Sequence, residues 1–411
     1  MDLLLHDMTA RHPDSAPHIG LLLRVKGDPM SLRQRMLTHL RQHLPALPIL
    51  STTIAPGRDR WNIEEQDPDH RLHDHLLTRG QSPEDQVQRI IRTPLPRSGS
   101  RWDVHLIHGY TDDRYAVFFR THHSLHDGAG LVHTLETLFG RADASTLRSS
   151  AVVATHAQAH PRPARSILYA VRALARNATK TAVWDDPEHP LSSERNFRWI
   201  GVPTDLLRNA ARAWNCSVND VYLAAFARAV SSWAAEHWKH AAGRDIDIAV
   251  PLNLRHPREV GAPGVYVAPV RITLPGRPLP TNQLIRCTAR ATAPLKSGGE
   301  REAVRWLTDK IPERVYARLT RFLITPDRAT PGVSYVVLRN ELRFGQDLVE
   351  EVAPLMALPE GCPLTVALTT YRTTSTACFV TDRALPGMDN LHTRWRESVE
   401  ELARQEPPSP N

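Results

Sequence analysis

A neutral imidazole exchanges protons near neutral pH, because its unperturbed pKa of about 6.5 lies in the working range of most enzymes. Residues 121–130 read Thr-His-His-Ser-Leu-His-Asp-Gly-Ala-Gly, so His122, His123 and His126 crowd beside Asp127 and the glycines Gly128 and Gly130. One of these rings could act as a general base, and the carboxylate could anchor the loop that carries it. The chain has 21 histidines, so a lone one means little. The His-His pair followed by Asp-Gly is what singles the stretch out. A metal site of His122, His126 and Asp127 is the competing reading, but histidines four apart share a face only on a helix, and this corner does not read as one.

Such a base must be held from both sides. Tyr115 to Arg120 alternates as a strand does, and Leu131, Val132, Leu135, Leu138 and Phe139 follow with helical spacing, which sets the imidazoles on a strand-to-helix corner. Gly128 and Gly130 permit a tight turn and the close approach of another chain. Val104 to His108 predicts a second strand, joined to the first through Thr111-Asp112-Asp113. Upstream, Ile19 to Val25 reads as a strand and Ser31 as the N-cap of a helix running to His43. The stretch from Trp61 to Leu77, with Asp67, Asp69, His70, His73 and His75, reads as a solvated acidic loop, and Pro83 opens a helix to Ile91.

After Arg141 the pattern loosens into Ala, Arg, His and Pro, with one helix expected from Ser166 to Val183 carrying Arg172, Arg176 and Lys180. Strands are then expected at 197–202, 245–252, 265–272, 333–338, 364–368 and 376–381. Helices are expected at 204–214, 218–238, 281–293, 299–309 and 389–404. Ser217 and Asp220 have the spacing of a capping arrangement for the helix at 218–238. The expected organisation is a first lobe over 1–145, a crossover over 146–194, a second lobe over 195–404 and a disordered tail over 405–411.

The motif His122-His123-x-x-x-Asp127-Gly128 resembles the HHxxxDG motif shared by chloramphenicol acetyltransferase, the condensation domains of peptide synthetases and the bacterial wax ester synthase/diacylglycerol acyltransferases. Other segments point to the last of these. The stretch 94–103, ending in Arg101-Trp102-Asp103, is similar to the segment that precedes that family's motif. Ser217-Val218-Asn219-Asp220-Val221-Tyr222-Leu223-Ala224-Ala225 is similar to its NDVVLA segment, and Val250-Pro251-Leu252-Asn253-Leu254-Arg255 to the strand that follows. Order and spacing fit across most of the chain. Three departures touch the pocket walls: Ser100-Arg101 where the family has Pro-Leu, Gly264-Val265 where it has Gly-Asn, and Ser334-Tyr335-Val336-Val337-Leu338 where it has Ser-Asn-x-Pro-Gly-Pro.

The resemblance implies an α/β fold, an α+β sandwich of two chloramphenicol acetyltransferase-like lobes with the active-site tunnel between them. It implies an acyltransferase in which His123 accepts the proton of a hydroxyl or amine as that atom attacks an acyl thioester. By the same resemblance Asp127 holds the loop by pairing with an arginine, for which Arg255 is the candidate, and His122 supports the loop. Gly128 leaves room for the thioester arm, Asn253 could assist the oxyanion, and Asn219 and Asp220 join the supporting set. The same residues also read His122-x4-Asp127, as in glycerolipid acyltransferases, which would make His122 the base. A carrier-protein-dependent condensation enzyme and a non-catalytic binder of acyl thioesters stay open. No Gly-x-Ser-x-Gly elbow occurs, which favours direct transfer over a covalent acyl-enzyme.

Composition bounds the rest. The 411 residues carry 51 basic and 44 acidic side chains, a net charge of +7, and almost all of the basic residues are arginine. That balance suits an anionic partner such as an acyl-CoA. Cys216, Cys287, Cys362 and Cys378 form no C-x-x-C pair, so neither a zinc site nor a disulfide framework is expected, and no cofactor beyond the thioester substrate. The N-terminal segment lacks the basic region of a signal peptide and no run approaches a spanning length, so a cytoplasmic location is expected, with peripheral membrane contact and an acyl carrier protein left open as partners.

Overall fold

Alternating apolar residues build two six-stranded sheets, each with its own core. The computed structural model describes residues 17–405 apart from 55–60, 65, 96–100, 141–163, 182, 185, 193, 257–258, 260, 297, 313–314, 316–317, 319–327, 329 and 360. The first half gives β1 (His18–Lys26), α1 (Leu32–His43), β2 (Thr52–Ile54), β3 (Trp61–Ile63), β4 (Leu72–Leu76), α2 (Pro83–Ile90), β5 (Trp102–His108), β6 (Arg114–His122) and α3 (Gly128–Phe139). Next come α4 (Ala164–Arg176), β7 (Arg195–Pro203), α5 (Thr204–Ala213), α6 (Val218–His237), β8 (Ile246–Asn253), β9 (Val267–Leu274), α7 (Thr281–Lys296) and α8 (Gly298–Lys310). The chain closes with β10 (Gly332–Leu338), β11 (Arg343–Phe344), β12 (Asp347–Leu355), β13 (Leu364–Tyr371), β14 (Thr374–Asp382) and α9 (Leu391–Arg404).

The sheets run β11-β12-β1-β6-β5-β4 and β7-β14-β13-β10-β8-β9. One face of the first packs Leu21, Leu23, Val117, Phe119, Trp102 and Val104 against Met36 and Leu40 of α1 and Leu131, Leu135 and Leu138 of α3. Those α3 side chains recur at three- and four-residue steps, so burying them fixes the helix on the sheet and the corner with it. The second core gathers α5, α6 and α9 over the other sheet, with Trp233, Trp395, Phe226 and Tyr222 fully buried. This is the mixed α/β, two-lobe architecture expected from the sequence.

The lobe boundary is not where the sequence reading put it. Residues 343–355, assigned to the second lobe, cross back as β11 and β12, and β12 pairs antiparallel with β1 in the first sheet. A bulge between Arg24 and Val25 breaks the two-residue alternation of β12, which hides it from a periodicity search. The lobes are then clamped together: Trp199 Nε1 of β7 donates to Pro354 C=O of β12 (2.7 Å), and Thr376 Oγ1 of β14 to Glu351 Oε1 (2.8 Å).

Two smaller expectations also change. Ser31 flanks α1 but sits at φ 53° and makes no side-chain cap bond, so the helix starts without the predicted cap. The acidic loop at 61–77 contains the edge strand β4, parallel to β5, because Leu72 turns into the core and His75 is engaged by Gln86 and His105. The helix expected at 166–183 ends at Arg176. The first 16 residues, the 406–411 part of the tail and the 146–163 part of the crossover lie outside the described residues.

Candidate active site

β6 ends at His122, and the turn that follows is pinned by its neighbours. His122 N–H donates to Arg101 C=O (2.9 Å), His123 N–H to Pro17 C=O (2.8 Å) and Leu125 N–H to His122 C=O (3.0 Å). Asp127 then caps α3, its Oδ1 accepting the Gly130 N–H at 2.8 Å. Within this frame the His123 ring is half-buried and its Nδ1 lies 2.7 Å from the His126 carbonyl oxygen. A carbonyl can only accept, so Nδ1 carries the proton and Nε2 the lone pair. The ring is oriented as a base.

His122 is set the other way. It is fully buried, and its Nδ1 accepts the Ser124 N–H (3.1 Å) beside the Ser124 hydroxyl (2.7 Å). The lone pair is already in use, and in the neutral ring the proton is on Nε2. Two adjacent histidines thus hold opposite tautomers. His126 is a core residue: its Nδ1 meets Thr121 Oγ1 (3.1 Å) and its Nε2 meets Thr134 Oγ1 (2.9 Å). Burial, with a smaller contribution from Arg255, lowers its pKa to about 3, so it stays neutral. His122, His126 and Asp127 do not converge on a point, since both His126 nitrogens and both Asp127 oxygens face protein partners.

Asp127 and Arg255 form a buried pair across the lobes, each side chain 1% exposed. Arg255 Nε donates to both carboxylate oxygens (3.0 and 2.8 Å), Nη1 to Glu259 and Ala262 C=O (2.7 and 2.9 Å) and Nη2 to Gly264 C=O (2.7 Å). Its guanidinium carbon lies 4.5 Å from the Tyr266 ring centre, and Tyr266 N–H donates to Asp127 Oδ2 (2.9 Å). Such a pair is costly to desolvate and tolerated when its remaining donors find acceptors, and here each of the three Arg255 nitrogens has at least one. Glu259 is held in turn by Arg305 at 2.6 and 2.8 Å. The result is a rigid brace from the motif into the second lobe.

Of the other residues singled out, Gly128 faces β10, where an added Cβ would lie 3.0 Å from Val336 Cγ1. Asn253 accepts the Arg255 N–H at 2.9 Å, so its side-chain oxygen shapes the brace rather than facing substrate. Asn219 and Asp220 start α6, and Asp220 is a capping residue: it accepts from Ser217 N–H (2.9 Å), Thr292 Oγ1 (2.5 Å) and Lys296 Nζ (2.6 Å). Burial alone would raise its pKa, but the Lys296 and Thr292 contacts hold the carboxyl below its usual range. Its partners come from α6 and α7, not from the motif.

Sequence reasoning missed Tyr266, Glu259 and Arg305, which complete the brace, and it marked three further positions without their contacts. At Gly130 an added Cβ would lie 3.1 Å from Arg255 Nη2, a tighter contact than most real Cβ atoms make, so a side chain there would press on the brace. The 264–266 turn, marked in the sequence only as a pocket-wall departure at Gly264-Val265, meets the motif through the His126↔Gly264 bridge and Gly264 N–H to Leu125 C=O (2.8 Å). Ser334 shares a face of β10 with Val336, the residue that meets Gly128.

Comparison with known proteins returns the family whose motifs the sequence resembles. The model of the wax ester synthase/diacylglycerol acyltransferase catalytic domain matches residues 11–183. A Mycobacterium tuberculosis protein named as a diacylglycerol O-acyltransferase is 23% identical over 431 residues, covering 95% of either chain. The solved wax ester synthase/diacylglycerol acyltransferase of Marinobacter aquaeolei VT8 superposes with a TM-score of 0.57 at 15% identity, over 94% of this chain and 93% of that one. The starter condensation domain of rhizomide synthetase, in a substituted form bound to C8-CoA and Leu-SNAC, gives 0.67 at 17% identity over 98% and 93%.

Proposed function

We propose that this chain, an acyltransferase of the wax ester synthase/diacylglycerol acyltransferase type, moves an acyl group from a thioester, with acyl-CoA as the donor, to a hydroxyl or amine, and that the acceptor is attacked into the thioester directly. The observation that carries the reading is the His123 ring, with Nδ1–H fixed on the His126 carbonyl and Nε2 without a hydrogen-bond partner among the described residues, at a corner braced by both lobes. Nε2 takes the acceptor proton as the oxygen or nitrogen bonds to the thioester carbon. The tetrahedral adduct then expels sulfur, and the proton on Nε2 passes to the departing thiolate. Both protons and electrons balance without a cofactor.

General-base assistance is worth about 10²–10⁴-fold, whereas holding two substrates together supplies roughly 7–11 kcal/mol. Positioning is therefore the larger contribution, and it is what the Asp127–Arg255 brace protects. Arginine-rich charge, +7 over the chain, suits the phosphates of a CoA donor. The altered segments at 100–101, 264–265 and 334–338 favour a polar acceptor, as in natural-product tailoring, over storage lipids. No helix among the described residues is long and apolar enough to cross a membrane.

The test is a panel of acyl-CoA chain lengths against alcohols and amines, read by free-thiol release, with His123→Ala and His122→Ala alongside. Thiol release that depends on His123 and on acceptor supports the proposal. Turnover retained by His123→Ala but lost by a well-folded His122→Ala moves the base to His122. Binding of acyl thioester without turnover makes the chain a carrier of the same fold.

A further inference from the structure

His123 hangs by its main chain from the segment that opens β1: its N–H donates to Pro17 C=O (2.8 Å), and the next residue, His18, stands opposite His122 in the β1–β6 register. The His18 ring is 5% exposed and lies edge-on to that of His122, the ring centres 6.4 Å apart. Whatever fixes His18 therefore helps to fix the base.

One His18 nitrogen is accounted for. The ring hydrogen-bonds the main chain of Ile91, just past α2, and the Ile91 N–H is already spent on Val87 C=O (3.0 Å). The ring thus donates to the Ile91 carbonyl, and because Nε2 has no partner the donor is Nδ1–H. Nε2 holds a buried lone pair with nothing to receive. Burial, and after it the Arg120 charge, lowers the pKa of the ring to about 3, so protonation does not relieve the mismatch.

Arg120 has the complement. A guanidinium carries five N–H donors. Nε and one Nη2 hydrogen go to Asp103, and the two Nη1 hydrogens go to Ile90 and Thr93 C=O. One Nη2 hydrogen is left without an acceptor among the described residues, on a side chain 3% exposed. Arg120 pairs with Gly20, so it is the diagonal neighbour of His18 on the same face of the sheet, within reach of a long side chain. Buried polar atoms nearly always find partners. A spare donor and a spare acceptor, not bonded to each other, are the two contacts that one buried water needs.

We propose that His18 is a positioning residue for the base: a buried water accepts the spare Arg120 hydrogen and donates to His18 Nε2, which ties the opening of β1 to the Asp103–Arg120 pair and so keeps the Pro17 carbonyl on the His123 N–H. His18 is not itself a base, because its second nitrogen is closed off from solvent. The water joins β1 to β6, and the Ile91 bond joins both to the end of α2. Misplacing a reacting group by about 1 Å can cost about a hundredfold in rate, so a link remote from the reacting atoms is felt in turnover. The inference rests on the reading of His123 as the base.

Three measurements test it. A crystal structure of the wild-type chain is expected to show an ordered water in contact with both His18 Nε2 and Arg120 Nη2; a dry contact, or a direct bond between the two side chains, overturns the proposal. His18→Asn keeps an N–H for Ile91 and removes the distal acceptor, whereas His18→Gln returns an acceptor at that distance. With folding checked by thermal melting, His18→Asn should lower kcat about tenfold at a KM for acyl-CoA within about twofold of wild type, and His18→Gln should recover most of the loss. Wild-type kcat in His18→Asn, or no recovery in His18→Gln, overturns it. Hydrogen exchange at the His123 N–H should quicken about tenfold in His18→Asn and slow again in His18→Gln, and equal exchange in all three proteins overturns it. That readout needs no turnover, so if no thioester reacts, the base reading fails while the link is still decided. If neither variant folds, the wild-type density decides alone.

Discussion

The first lobe contains two histidine clusters built on one plan, and only one of them leaves a nitrogen over. At the motif, Asp127 pairs with Arg255. On the same sheet, Asp103 pairs with Arg120 at 2.9 and 2.5 Å, and these side chains too are nearly inaccessible, 4% and 3% exposed. From Asp103 a chain runs outward: His105 Nε2 lies 3.0 Å from Asp103 Oδ1, His75 Nε2 2.9 Å from His105 Nδ1, and Gln86 Nε2 2.9 Å from His75 Nδ1. Arg89 closes it on Gln86 Oε1 at 2.6 Å. Each of the four ring nitrogens in the chain lies within 3.0 Å of a protein polar atom, the His105 Nε2–Asp103 contact being an ion-pair distance without hydrogen-bond alignment. A histidine with both nitrogens engaged is structure. His123 has one engaged and one presented, and that single difference separates a fastener from a base.

The most severe way to break the comparison is to remove one ring from each cluster. His123→Ala should lower kcat about 10²–10⁴-fold with an unfolding midpoint close to wild type. His105→Ala should do the reverse, keeping turnover per folded molecule while lowering the midpoint, because it strands Asp103 and His75. Steady-state thiol release and urea unfolding of the same samples decide it. If His105→Ala abolishes turnover at full stability, the two clusters are not different in kind.

Removing the carboxylates tests what the clusters share. Asp127→Ala and Asp103→Ala each leave a buried guanidinium uncompensated, which costs about 3–5 kcal/mol. Only Asp127→Ala should also lose activity out of proportion to its stability, since its partner Tyr266 and the α3 N-terminus position the turn. Asp103 is ionised despite burial because Arg120 and then His105 hold its carboxyl well below the usual range.

Acid should act on both clusters at once. Burial lowers the pKa of His126 and of His18 to about 3, and that of the half-buried His75 to about 4. The unfolded chain, with ordinary histidines near 6.5, therefore binds more protons between about pH 6.5 and 3, so stability is full above 6.5 and falls as pH drops through that window. The slope is about 1.4 kcal/mol per pH unit for each fully buried ring and less for His75. Urea midpoints between pH 7.5 and 4.5 give the slope, and His75→Gln should make it shallower throughout the range below about pH 6.5. A flat profile would mean that these rings are charged in the native state.

The two clusters were unequally visible in the sequence. The corner is contiguous: a strand, His122-His123, Asp127-Gly128 and a helix follow one another, so local spacing reveals it. Arg255 was reachable only through the resemblance, being 128 positions from Asp127. The Asp103 chain is assembled from β4, β5, β6 and α2 by parallel and antiparallel pairing, and no window of sequence brings His75 to His105. β12 escaped for a related reason, since a bulge and the acidic pair Glu350-Glu351 disguise a strand whose burial is decided by the distant β1. Asn219 and Asp220 were legible in the opposite sense: the capping spacing and the family segment competed for the same residues, and the capping geometry is what the side chains make.

That competition gives the smallest prediction and the one that sharpens the comparison most cheaply. Asp127 and Ser217 both cap helices, but Asp127 also carries the lobe-spanning pair, whereas Ser217 accepts only the Asp220 N–H (3.2 Å) within its own capping box. An ordinary cap is worth about 1 kcal/mol. Ser217→Ala should therefore cost about that amount, a few degrees or less in melting temperature for a chain of this size, with kcat/KM per folded molecule as in wild type. If Ser217→Ala instead depresses kcat/KM several-fold at unchanged stability, the start of α6 reaches the substrate, and the Asn219-Asp220 segment belongs to the site after all.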